Sequence, residues 1–139
     1  MTELSLTVYF AFYAYLIMLL IQWLVATVSK AKRAGAIPGK LEPELSHESF
    51  TFRAHRTFMN TLENSPLFIG TLLLAFTLNL TSGVFAVCVW LYVVARAVHM
   101  VLYYAIATEK NPSPRSYFFL IGLVSNITML VLVGIRLLY

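Results

Sequence analysis

The sequence predicts an all-α membrane protein, a bundle of four transmembrane helices, and three observations carry that prediction. Hydrophobic residues fill 60% of the 139 positions and charged residues only 12%, too apolar a balance for a soluble globular domain. The apolar residues gather into four stretches. A hydrocarbon core about 30 Å thick is crossed by about 20 helical residues, so the chain accommodates four crossings in one domain over residues 1–139. Between the stretches fall Pro38, Pro43, Pro112 and Pro114, together with runs of charged residues.

Taken in order, the first stretch runs from Leu4 to Ser29 without a charge and with Gln22 as its only strongly polar side chain, enough for a slightly long or tilted helix over residues 4–29. Met1-Thr2-Glu3 precedes it, and Lys30, Lys32 and Arg33 follow it. A secretory signal has its basic residues at the front, so this helix is expected to be retained. Residues 30–49 read as a polar loop containing Gly35, Gly39, Glu42, Glu44 and Glu48. A second helix over about 50–78 keeps its charges in its first half. Pro66 removes the donor to the Leu62 carbonyl and is expected to kink it. Residues 79–83 form a tight turn, and a third helix covers about 84–108. The run from Glu109 to Arg115 then breaks the chain with two prolines, and the fourth helix occupies 116–137.

Lys30, Lys32, Arg33, Lys40, Arg53, Arg56, Lys110 and Arg115 all belong to the first and third loops or their flanks, and the turn at 79–83 has no basic residue. The positive-inside rule therefore puts the first and third loops in the cytoplasm and both termini on the other side, with Arg136 opposing weakly. The expected setting is a multi-pass protein of a bacterial inner membrane or the endoplasmic reticulum. The net charge of +4 forms no long basic stripe, which argues against nucleic acid as a partner. Cys88 is alone in an apolar stretch, so no intramolecular disulfide forms. No HExxH or Cys/His ligand set suggests a metal.

Two polar runs interrupt the apolar stretches. Arg56, Asn60 and Glu63 share a helical stripe about 60° wide, which Arg53 extends toward the loop. Tyr92, Arg96, His99 and Tyr103 form a second stripe of similar width. A charge inside a bilayer costs at least about 2.5–3.5 kcal/mol, so such side chains normally face a protein interior or a wet cavity. By the expected topology both stripes lie at the cytoplasmic end and can meet. An Arg96–Glu63 ion pair that merely fixes helix packing is the plainer alternative, and Tyr92 and Tyr103 also suit a membrane interface. The donors Arg96, His99 and the phenols favour an anionic ligand with many hydrogen-bonding groups. Arg115 and Ser116 stand at the entrance to the fourth helix. Free N–H groups and positive charge there favour an anion, such as a thiolate, whose pKa falls in positive surroundings. The plain alternative is that Arg115 only enforces topology.

With these residues assembled, the chain resembles the MAPEG family, the membrane-associated proteins of eicosanoid and glutathione metabolism, and most closely its microsomal glutathione transferase branch. The segment from Arg53 to Pro66, with Arg56, Asn60 and Glu63, resembles the family's second-helix signature. The run from Ala95 to Tyr103 resembles its third-helix signature, and Pro114-Arg115-Ser116 the start of its fourth helix. The resemblance implies a homotrimer of four-helix subunits that binds glutathione between neighbours near the cytoplasmic side. It implies that Arg53, Arg56, Asn60 and Glu63 hold the tripeptide, with Glu63 on its amino group. It further implies that Tyr92, Arg96, His99 and Tyr103 complete the pocket, and that Arg115 and Ser116 act on the sulfur. The chain departs from the prostaglandin-synthase-like members, which have an arginine before the asparagine and a tyrosine three residues after the serine. Here those positions are Met59 and Phe119, and Tyr117 is out of register. Lys32 and Arg33 are the first-helix candidates for a glutathione carboxylate.

The function these readings favour is a membrane glutathione transferase, with glutathione peroxidase as a second activity, which directs a thiolate at hydrophobic electrophiles or lipid hydroperoxides arriving from the bilayer in a detoxification role. The alternatives are a non-catalytic lipid-binding or scaffold member of the same fold and a small proton-coupled transporter using Glu63.

Overall fold

The computed structural model describes residues 3–80 and 82–139. Met1, Thr2 and Thr81, and with them part of the expected leader and turn, lie outside the described residues. Four helices form, α1 (Glu3–Ala31), α2 (Phe50–Thr77), α3 (Gly83–Ala105) and α4 (Pro114–Leu138), and no strand occurs among the described residues. The helices α2 and α3 are central: α1 packs on both of them, as does α4, while α1 and α4 do not touch among the described residues. Three helical spans, Ser5–Ala31, Gly83–Ala105 and Pro114–Leu138, are long and apolar enough to cross a membrane. Large apolar side chains such as Phe10, Trp23, Val87 and Val124 face outward, as lipid-facing surfaces require.

The helix ends have local causes. α4 starts at Pro114, two residues before the sequence suggests, because proline at the first helical position gives up an N–H that needs no partner there. Ser113 caps it: the Ser113 N–H donates to Ser116 Oγ at 3.1 Å, and the Ser116 N–H returns to the Ser113 carbonyl at 2.8 Å. α3 ends at Ala105, three residues early. Ile106 turns extended, and the Thr108 carbonyl beyond it accepts from Arg115 Nη2 at 2.9 Å instead of continuing the helix.

α2 is as long as its neighbours but is built differently. Its buried face is a stripe of small and hydroxyl residues, including Thr51, Ala54, Thr57, Thr61 and Ser65. Two of these hydroxyls bond back to the helix, Thr57 Oγ1 donating to the Arg53 carbonyl and Ser65 Oγ to the Thr61 carbonyl, both at 2.8 Å, while Thr51 donates to the Ser29 carbonyl of α1. The helix runs unbroken through Pro66. Above that level lies the aromatic core, in which Phe68 and Tyr92 stack at 4.0 Å and Tyr15 meets Phe68 edge-on at 4.7 Å. Ser65 already donates to Thr61, so the Tyr15 hydroxyl is the donor in its 2.7 Å bond to Ser65 Oγ.

Candidate functional site

At the end of the bundle where the α1–α2 and α3–α4 loops come together, the ends of α3 and α4 open into a cleft of about 580 Å³. Asn60, His99, Tyr103, Arg115, Ser116 and Phe119 line it, joined by His47 and Glu109 from the two loops. Arg115 dominates its chemistry. The side chain is nearly enclosed, with the residue only 7% exposed, and its guanidinium carbon sits 4.0 Å from the centroid of the Tyr103 ring. Nε donates to Ser113 Oγ at 3.3 Å and Nη2 to the Thr108 carbonyl at 2.9 Å, while the buried Nη1 has no partner. An unmade bond from a buried donor costs about 1–3 kcal/mol, and more for a charged group, so this arrangement favours an added acceptor.

Arg96 repeats the pattern one layer deeper. It is 1% exposed, and Nη2 donates to Asn60 Oδ1 at 2.7 Å and Thr61 Oγ1 at 3.0 Å, but Nε has no partner. His99, 4% exposed, likewise has a buried Nδ1 with no partner. The ion pairs among the described residues are Arg33–Glu42 and His47–Glu109, so neither Arg96 nor Arg115 is paired to a carboxylate. Two buried guanidiniums without a counter-charge give this end of the bundle a strong preference for an anion.

The residues singled out from the sequence are thus distributed unequally. Asn60, His99, Tyr103, Arg115 and Ser116 share the cleft, and Arg96 is joined to it through Asn60. Tyr92 is buried in the aromatic core against Phe68 and Tyr15. Arg56 and Glu63 lie on the exposed face of α2, so the Arg96–Glu63 pair does not form within the chain. Arg53 is committed to backbone: Nη1 donates to the carbonyls of His47 at 2.6 Å and Glu48 at 2.9 Å, and Nε to that of Tyr104 at 3.3 Å. It ties the first loop to the end of α3. Arg33 is held by Glu42 through two 3.0 Å contacts from Nε, which keep the Glu42 carboxyl below the usual carboxylate range.

Sequence reasoning missed His47 and Glu109. Glu109 Oε1 accepts from the His47 ring at 2.8 Å and from its backbone N–H at 3.2 Å, and these bonds, the ring's first, hold the Glu109 carboxyl below its ordinary range. The two residues come from separate loops, where no periodicity signals a pairing. Thr61, the second acceptor for Arg96, was equally silent as one hydroxyl among many.

A family model, that of the MAPEG family, matches residues 7–135. No curated protein and no solved structure matches the chain.

Proposed function

The chain belongs to the MAPEG family, and from that premise we propose that it is a membrane glutathione transferase with peroxidase activity toward lipid hydroperoxides, working as a homotrimer of four-span subunits. The observation that carries this reading is the pair of buried arginines, Arg96 and Arg115, that have no carboxylate partner at an open cleft. A tripeptide with two carboxylates and an ionisable thiol suits them. Arg115, with the hydroxyl of Ser116 and the first turn of α4, holds the sulfur as thiolate. Arg96, His99, Asn60 and Tyr103 bind the peptide, and Tyr92 supports them from the core.

The outward-facing charges of α2 support the trimer. Arg56 and Glu63 are exposed on a helix flanked by membrane-spanning neighbours, and each charge turned to lipid would cost at least about 2.5–3.5 kcal/mol. A second subunit packed on this face removes that cost, makes α2 the fourth span, and brings Arg56 and Glu63 to glutathione bound between subunits, with Glu63 on its amino group. Arg53 contributes by fixing the loop that borders the site.

Chemistry then needs little from the protein beyond placement and electrostatics. The thiolate forms a bond to an electrophilic carbon, and the leaving group departs with its electron pair. With a hydroperoxide, the thiolate attacks the terminal oxygen and the O–O bond breaks. The lipid alkoxide leaves and takes a proton from water to become the alcohol, and a second glutathione condenses with the sulfenic acid to give glutathione disulfide and water. Phe119 and Leu120 give the cleft an apolar side through which such substrates enter from the bilayer. Calorimetric titration of the detergent-solubilised chain with glutathione, paired with conjugation of chlorodinitrobenzene, tests the reading. Binding with turnover supports it, whereas neither binding nor turnover would replace it with a non-catalytic lipid-binding role.

A further inference from the structure

We propose that Tyr103, His47 and Glu109 form a proton relay that carries the thiol proton out of the cleft to water. The inference rests on the function proposed above and assigns roles to two loop residues outside that binding set. Glu109 Oε1 accepts from both His47 Nδ1, at 2.8 Å, and the His47 backbone N–H, at 3.2 Å. An ionised carboxylate only accepts, so Nδ1 carries the ring proton and Nε2 is left as a base. That base lies 3.0 Å from the Tyr103 hydroxyl, which therefore donates to it. Carboxylate, imidazole and hydroxyl stand in the order by which an oriented imidazole removes a hydroxyl proton. Here the hydroxyl is a conduit, because the Tyr103 ring lies against the guanidinium assigned to the sulfur, 4.0 Å from its carbon.

The chain of groups also runs outward. The His47 side chain is 20% exposed and that of Glu109 72%, so the relay leads from the cleft wall to solvent. The imidazole is held in place from behind, since Arg53 Nη1 donates to the His47 carbonyl at 2.6 Å. As the S–H bond breaks, its proton passes to the Tyr103 oxygen while the Tyr103 proton moves to His47 Nε2. The sulfur anion is then beside Arg115 and the imidazolium beside Glu109. Water takes the proton from His47 and resets the relay, with no change of oxidation state. His47 acts through Tyr103 and positions the proton path.

Rapid mixing of the solubilised full chain with glutathione, followed by the ultraviolet absorbance of the thiolate, reads this step directly. A relay changes the path and not the equilibrium. In His47→Gln, thiolate appearance therefore slows at least about tenfold while its final amplitude and the calorimetric affinity stay at wild-type values. In His47→Ala, added imidazole restores the rate, because the cleft of about 580 Å³ is open to it. An unchanged rate in His47→Gln overturns the relay, and so does a loss of amplitude or affinity, which would mark His47 as a binding residue. A wild-type chain that binds no glutathione overturns the function beneath it, and that outcome is separate from normal binding with an unaltered rate.

Discussion

Replacing Arg115 with alanine tests the electrostatic core of the proposal. The guanidinium is enclosed, so its field on a neighbouring sulfur is only partly screened. A cation about 4 Å from an anion at an effective dielectric constant of about 20 contributes about 4 kcal/mol. That is about 3 pH units of thiol acidity. An ordinary thiol pKa of about 8.5 would thus fall to about 5.5 in the wild-type cleft, giving nearly complete ionisation near neutrality. In Arg115→Ala the value should return toward about 8.5, leaving roughly 3% thiolate at about pH 7, a loss of about 30-fold. The assay is a pH titration of thiolate absorbance with glutathione bound, and calorimetry confirms occupancy. Arg115→Lys keeps the charge but loses the planar fork over Tyr103, so its titration should fall between the two. If Arg115→Ala bound glutathione and ionised it at the wild-type pH, the assignment of Arg115 to the sulfur would be wrong.

Glu63→Gln should weaken glutathione affinity at least about tenfold, the scale expected for losing one hydrogen-bonded charge pair. It should leave the fold intact, because Glu63 is exposed and has no ion-pair partner among the described residues; calorimetry and circular dichroism read the two effects. A Cβ added at Gly122 would meet Arg96 Cδ at 3.6 Å, an ordinary contact, so Gly122→Ala should be tolerated. Gly122→Leu should push Arg96 off Asn60 and lower both thermal stability and glutathione affinity. The hydrogen bonds from His47 depress the carboxyl of Glu109, so the stability they give is complete above its unfolded value near 4.5 and is lost as pH falls through the lower folded value. The protection of amides in residues 106–113, exchange being compared with the intrinsic rate at each pH, should accordingly fall below about pH 4.5 in the wild type. In Glu109→Gln that protection should already be low at neutral pH, and equal protection in the two proteins would contradict the loop clasp.

Hydropathy and turn chemistry made the helices legible because lipid-facing surfaces and proline-rich breaks leave strong local signals. The end of α3 falls three residues early where Arg115 reaches back to the Thr108 carbonyl, a contact that no helical period encodes, and α4 starts two residues early at Pro114 behind the Ser113 cap. A helical wheel groups Arg56, Asn60 and Glu63 on one stripe but does not say which way it faces. In the fold, the competing stripe of Thr57, Thr61 and Ser65 took the inside, and only Asn60, at the border, met Arg96. Arg53 reads from the sequence as another ligand cation, yet its Nε and Nη1 are occupied by carbonyls from two other segments. Tyr92 suits either a pocket or a membrane interface from the sequence alone, and in the fold it stacks on Phe68 in the aromatic core.

Because α2 turns its hydroxyls inward and Arg56 and Glu63 outward, a subunit packed on that face, as the proposed trimer requires, must itself be polar enough to answer them. A subunit left by itself among lipid tails would have no such neighbour. In the proposed trimer, companionship and competence would be set by the same few side chains, so a substitution that loosens association should silence the proposed reaction without touching the sulfur's own surroundings.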